Sequence, residues 1–213
     1  MSVREFCYKQ TPQGPLKIWV HDPTDGQASD RRPGMVFFFG GGWAKGTVEH
    51  FLPQARHFAS RGLVTARADY RVRSRHGVTP DQCVEDARSA MRWMRREAGR
   101  LGIDPDRIIA SGGSAGGHLA ACTALADAPD AAGEDTSVSC APKCLVLFNP
   151  VLSLADDAPA AQSMQDAAMG RRISPLLHLH ADWPPAICFY GADDKFFRYD
   201  GSRFAEAARQ CGA

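Results

Sequence analysis

The sequence predicts an α/β protein built on an open, mostly parallel sheet with helices on both faces. Three observations carry this. Short apolar runs alternate with helical patterns along the chain. The runs are continuous, so both faces of each strand are expected to be covered, as in a parallel sheet. Each main run also ends in glycine or polar residues, the composition expected where such a sheet binds ligands. The 213 residues suit one domain, 1–213, with a substantial core.

The elements follow in order. EFCYK and KIWV near the start read as an edge pair of strands. HDPTDGQASDRRPG is a turn-rich exposed connection. The main strands are MVFFF (35–39), LVTARA (63–68), RIIA (107–110), CLVLF (144–148) and AICFY (186–190). Between them, Phe51, Ala55, Phe58 and Ala59 share a helical face that stops at Gly62. Residues 80–98 form a stronger helix, with Val84, Ala87, Met91 and Met94 on one stripe and Glu85, Arg88, Arg92 and Arg96 off it. GGHLAACTALA after Ser114 is apolar on most sides and reads as a buried helix. Residues 199–210 form a last amphipathic helix with Phe204, Ala207 and Ala208 inward. Residues 151–172 fit neither period and are expected to be a lid or cap segment. The polar strand ends at Gly40, Gly41 and Gly42, at Asp69 and Tyr70, at 112–114, at Asn149 and at 191–194 are expected to converge on one sheet edge.

Two of these ends carry chemistry. Gly112-Gly113-Ser114-Ala115-Gly116 fits G-x-S-x-G between a strand and a helix, the context of a nucleophile elbow. Such a turn needs small neighbours and backbone at positive φ, and it lifts the hydroxyl to a helix N-terminus. The pentapeptide alone is also met in structural turns, and a phosphate-binding loop is the other rival, but no Walker lysine follows it. In FFFGGGWAKGT the three glycines directly follow a strand. Their N–H groups can face an oxyanion with no side chain in the way. The donors are expected at Gly41 and Gly42, joined by the N–H of Ala115; a plain flexible turn is the alternative.

The pairing of GGGW with GGSAGGH resembles the α/β-hydrolase superfamily, in its esterase/lipase branch with an HGGGW-type loop. ADYRV (68–72), GIDPDRI (102–108) and YGADDKFFRYDGSRFAEAARQCG are similar to that branch as well. The resemblance spans residues 17–213, with one local departure: Phe39 stands where the family has a histidine before the glycines. It implies the α/β-hydrolase fold, Ser114 as nucleophile and Asp194 as triad acid, with Asp193 the neighbouring candidate.

The family order is Ser, Asp or Glu, then His, and no histidine follows Asp194 here. The chain therefore reads as a C-terminally incomplete hydrolase without its last strand and helix, the histidine being expected beyond residue 213. Of the seven histidines present, His118 sits one turn past the serine and should pack below the elbow. His178 and His180 share one side of an extended stretch and are candidates for a stand-in base or, lacking a third ligand, a metal pair. His50 is near the glycine loop, and His21, His57 and His76 look peripheral.

Composition bounds the rest. A formal charge of +1 implies no nucleic-acid partner, and no stretch is long and apolar enough for a membrane span. The N-terminus lacks the order of a signal peptide, which predicts a cytoplasmic protein. Seven cysteines in apolar contexts suit buried free thiols; Cys140 and Cys144 match no strong metal spacing. No metal and no cofactor is expected. The reading is a serine hydrolase of small carboxylic esters, short-chain acyl or acetyl, with acetylated sugars suggested by family analogy alone. An amidase or peptidase of the same fold and a non-catalytic binding protein are the rivals. Arg171 and Arg172 could meet an acidic leaving group or be a solvated basic pair.

Overall fold

The computed structural model describes residues 2–27, 29–155 and 158–212. Seven strands form one sheet: β1 (Val3–Thr11), β2 (Gly14–His21), β3 (Arg32–Phe38), β4 (Val64–Ala68), β5 (Ile103–Gly113), β6 (Cys144–Phe148) and β7 (Ala186–Phe189), in the order β1-β2-β4-β3-β5-β6-β7. The first two make the expected edge pair, here an antiparallel hairpin, and β2 also runs antiparallel to β4. The other pairings, β4–β3, β3–β5, β5–β6 and β6–β7, are all parallel.

Both faces are covered, and β3 shows how. Val36 and Phe38 join the large core cluster, which includes Val84, Met91 and Leu119. Met35 and Phe37, facing the other way, pack with Phe51 and Ala55. Alternate side chains of a strand leave by opposite faces, so an unbroken apolar run is what two buried faces require.

The helices are α1 (Leu52–Ser60), α2 (Arg73–His76), α3 (Pro80–Arg96), α4 (Ala98–Leu101), α5 (Ala115–Cys122), α6 (Ala167–Arg172) and α7 (Ser202–Cys211). Helix α3 begins with Pro80 at a first-turn position and a capping box between Thr79 and Gln82. Its predicted stripe is buried, but so are Arg88 and Arg92, which the pattern placed off the stripe. Both bind Asp130, at 2.6 Å each. Burial disfavours the Asp130 charge, yet hydrogen bonds from Arg88 and Arg92 outweigh that and lower its pKa to about 2. On the same helix Asp86, fully buried, accepts from Lys9 Nζ at 2.6 Å, Arg71 Nε at 2.8 Å and the Arg71 backbone N–H at 3.0 Å. That ties the chain after β4 to α3.

Residues 151–155 are buried outside any helix or strand, a 3-10 turn covers Ala161–Ser163, and α6 is capped by Asp166, which accepts from the Ala168 and Met169 N–H groups. Met164 and Met169 pack against the large core cluster. The last helix is shorter than expected at its start, because Phe197–Gly201 forms a π-type turn before α7. All seven cysteines are free; Cys7 is exposed, unlike the buried setting expected for the group.

Candidate active site

The parallel register brings the strand ends together. Phe38 lies beside Ala68 on one side and Gly112 on the other. Gly113 lies beside Phe148, and Phe148 beside Phe189. The glycine loop, the Ser114 turn, Asn149 and the 191–194 turn therefore leave one edge of the sheet.

Ser114 sits between β5 and α5 with φ 54 and ψ −120, a conformation that L-residues seldom adopt outside sites that impose it. Backbone bonds hold it there. Its N–H donates to the Phe148 carbonyl at 2.9 Å. Its carbonyl accepts from the N–H groups of His118 at 3.0 Å and Val151 at 3.3 Å. The turn fits against β3 only because residue 116 is glycine: a Cβ there would stand 2.1 Å from the Phe38 carbonyl oxygen and 2.3 Å from that of Phe39. The Ser114 side chain is half-buried, and its hydroxyl has no side-chain partner among the described residues. Ala115 is the first residue of α5, so its N–H has no intrahelical acceptor.

The glycine loop approaches this serine closely. A Cβ on Gly40 would lie 3.4 Å from Ser114 Cβ. Gly41 has φ +137, and its carbonyl accepts from Ala44 and Lys45, at 3.2 and 3.1 Å, closing a tight turn. Gly42 and Trp43 also have positive φ, at 61 and 56. Phe39, the departure from the family pattern, is buried and stacks on Tyr70 with centroids 4.0 Å apart. The Tyr70 hydroxyl donates to the Phe39 carbonyl at 2.7 Å, so an aromatic pair anchors the start of the loop.

Trp43 anchors its other end. Its indole Nε1–H donates to His118 Nδ1 at 3.2 Å, and His118 Nε2 is 2.7 Å from the Ile173 carbonyl. An indole N–H can only donate and a carbonyl can only accept, so the imidazole carries its proton on Nε2. Burial lowers the His118 pKa to about 4 and keeps the ring neutral. His118 thus packs below the elbow as expected, with both nitrogens engaged away from the serine hydroxyl.

The remaining candidates are dispersed. Asp194 is half-buried after β7; its Oδ1 accepts from the Phe196 N–H at 2.8 Å, while Asp193 is exposed. The strand β6 separates its turn from that of Ser114, so the two side chains are not in contact across roughly two strand spacings, about 10 Å. His178 Nε2 lies 2.9 Å from the Arg171 carbonyl, and His180 meets the Trp183 ring edge-on at 5.9 Å. No group of three or more His, Cys, Asp or Glu placed to hold a metal occurs among the described residues. No described helix is long and apolar enough to cross a membrane.

One group escaped the sequence. Asp200 is fully buried; its Oδ1 accepts from the Leu152 N–H at 3.1 Å and its Oδ2 has no hydrogen-bond partner among the described residues. Burial raises its pKa to about 6 against the backbone hydrogen bonds from Leu152 and Ser153. It couples the chain after β6 to the start of α7. The sequence placed it in an amphipathic helix, where an aspartate reads as surface.

A sheet of this order, with a serine on a strained strand-to-helix turn beside a glycine loop, defines an α/β-hydrolase. The chain belongs to the BD-FAE family, whose profile matches residues 20–143. It is similar to a probable isoprenylcysteine alpha-carbonyl methylesterase of Arabidopsis thaliana, 28% identical over 233 residues that cover 99% of this chain and 48% of that protein. The chain thus spans about half of that relative's length. Among solved structures it resembles esterase 2 of Thermogutta terrifontis phosphonylated by sarin, at 41% identity and TM-score 0.92, covering 99% of this chain and 80% of that one. The same esterase with butyrate bound matches at 42% identity and TM-score 0.91, with 99% and 80% covered.

Proposed function

We propose that the protein hydrolyses short-chain carboxylic esters through an acyl-enzyme on Ser114. The observation that carries this is the strained Ser114 turn, held with Gly40 against it and a free helix N-terminus behind it. In this reading Ser114 Oγ attacks the ester carbonyl and the N–H groups of Gly41, Gly42 and Ala115 receive the oxyanion. A histidine oriented by Asp194 takes the Ser114 hydroxyl proton and gives it to the leaving alkoxide, and water, deprotonated by the same histidine, then releases the acid. His118, neutral and with both ring nitrogens engaged, is not that histidine. The butyrate bound to the Thermogutta esterase supports a short acyl chain.

The test treats the full-length protein with paraoxon, maps the adduct by peptide mass spectrometry, and measures p-nitrophenyl butyrate hydrolysis. The expected adduct is on Ser114, and Ser114→Ala should lower turnover by at least about a thousandfold, given the larger loss on removing a triad nucleophile. A folded Ser114→Ala protein that hydrolyses the ester at the parent rate overturns the proposal.

A further inference from the structure

A cleft adjoins the glycine loop. It measures about 310 Å³ and is lined by Gly42, Trp43, Arg73, Thr79, Ser163 and Gln165, among others. Gly42 lines the cleft and is two residues from Gly40, which sits against Ser114, so one glycine loop borders both the cleft and the serine turn. Its wall is fixed to the loop: the Arg73 N–H donates to the Trp43 carbonyl at 2.9 Å and the Ser74 N–H to the Ala44 carbonyl at 3.0 Å.

The charge of this cleft is unbalanced. Three arginines alternate along the chain here, and two are neutralised: Arg71 by Asp86 at 2.8 Å and Arg75 by Asp69 at 3.0 Å. Arg73, between them, is exposed and has no acidic partner among the described residues. No acidic side chain lines the cleft among those residues, and the rest of its polar lining is neutral amide and hydroxyl. Asp166, next to Gln165, spends its Oδ1 on the N–H groups of Ala168 and Met169. A planar guanidinium in a polar cleft whose described lining holds no carboxylate matches a carboxylate.

We infer that this cleft is a specificity subsite in which Arg73 receives the carboxylate of an anionic ester. The inference rests on the ester-hydrolase reading above and narrows its substrate class to esters carrying a free carboxylate, on the acyl or the alcohol side. Gln165 and Ser163 supply neutral donors around the same anion, and Trp43 gives the connecting carbons an apolar wall. The reacting bond stays at Ser114, so Arg73 acts on binding and orientation and not on the proton transfers.

The test uses two matched pairs with the full-length protein: monoethyl against diethyl glutarate, and O-acetyl lactate against its methyl ester. Preference for the charged member in the first pair places the carboxylate on the acyl side, and in the second on the alcohol side. In either pair the preference in kcat/KM should fall about tenfold in Arg73→Gln, equivalent to about 1.4 kcal/mol, and reverse in Arg73→Glu. Binding of the charged member to Ser114→Ala, followed by ligand-observed NMR, should weaken by a similar factor on adding Arg73→Gln. Neutral esters preferred by the parent, or a preference indifferent to Arg73, overturns the subsite while leaving ester hydrolysis standing. Arg73-dependent binding without any Ser114-dependent turnover overturns the hydrolase reading instead.

Discussion

Acidification should unload the Trp43–His118–Ile173 bridge, and the size of the effect follows from the geometry. His118 is held neutral because its ring is buried, with Nδ1 accepting from Trp43 and Nε2–H donating to Ile173. Its pKa falls from the ordinary 6.5 to about 4. A histidine whose folded pKa lies below its unfolded one gives stability that is fully present above 6.5 and lost as pH drops toward 4. At about 1.36 kcal/mol per unit, that is about 3 kcal/mol in all. His118→Gln keeps one amide but cannot serve both partners, so it should cost about 1–3 kcal/mol near neutrality through the group left unpaired. It also removes the titration. Urea unfolding followed by circular dichroism, at steps from about pH 7 to pH 5, gives the stability difference between parent and variant. Groups common to both, such as His21, whose pKa burial also lowers to about 4, cancel in that difference. The expected result is a parent advantage that shrinks as pH falls. A difference independent of pH would refute the neutral, doubly bonded imidazole.

Two further predictions concern the elbow and the buried carboxylate. Gly116→Ala places a Cβ against two carbonyl oxygens of the chain leaving β3, where backbone and not a flexible side chain would have to move; it should destabilise by about 3 kcal/mol or more, read as a fall in Tm, and an unchanged Tm would contradict the close approach. Asp200 behaves oppositely to His118: its pKa is raised to about 6, so its contribution is present below 3.8 and is lost as pH rises through 6. Asp200→Asn keeps the acceptor for Leu152 and drops the charge, so the variant should be more stable than the parent by up to about 2 kcal/mol near pH 7, with the gap closing toward pH 4; a parent that stays more stable at pH 7 would count against it.

Much of the fold was legible because it rests on local pattern. The run CLVLF is β6 residue for residue, and Val84, Ala87, Met91 and Met94 form the buried stripe of α3. Strand β3 begins earlier than its apolar run, at Arg32, because the Arg32 N–H pairs with the Gly102 carbonyl and its guanidinium with Asp25 and Asp30. The G-x-S-x-G turn and the glycine loop were legible for the same reason: tight turns limit which residues fit. What stayed hidden depends on partners far along the chain. Arg88 and Arg92 look like solvated residues until Asp130, 42 and 38 positions away, is folded over them. Asp200 looks like helix surface until Leu152 arrives from 48 positions upstream. The departure at Phe39 was visible as a missing histidine; its replacement by a stack on Tyr70 was not, since the ring geometry needs β3 and β4 side by side.

The unusual backbone at Ser114 is maintained by neighbours spread over several strands: Phe38 and Phe39 behind Gly116, Phe148 and Val151 on the far side, and the bridge through Trp43. For protein engineering this divides the molecule into frozen and adjustable ground. A mutational library aimed at new substrates would forfeit most of its members if it randomised the residues behind the serine, although few of them would meet the substrate. Diversity belongs instead on the outer rim at Arg73, Thr79, Gln162 and Gln165, where side chains are exposed and no backbone of the elbow leans on them.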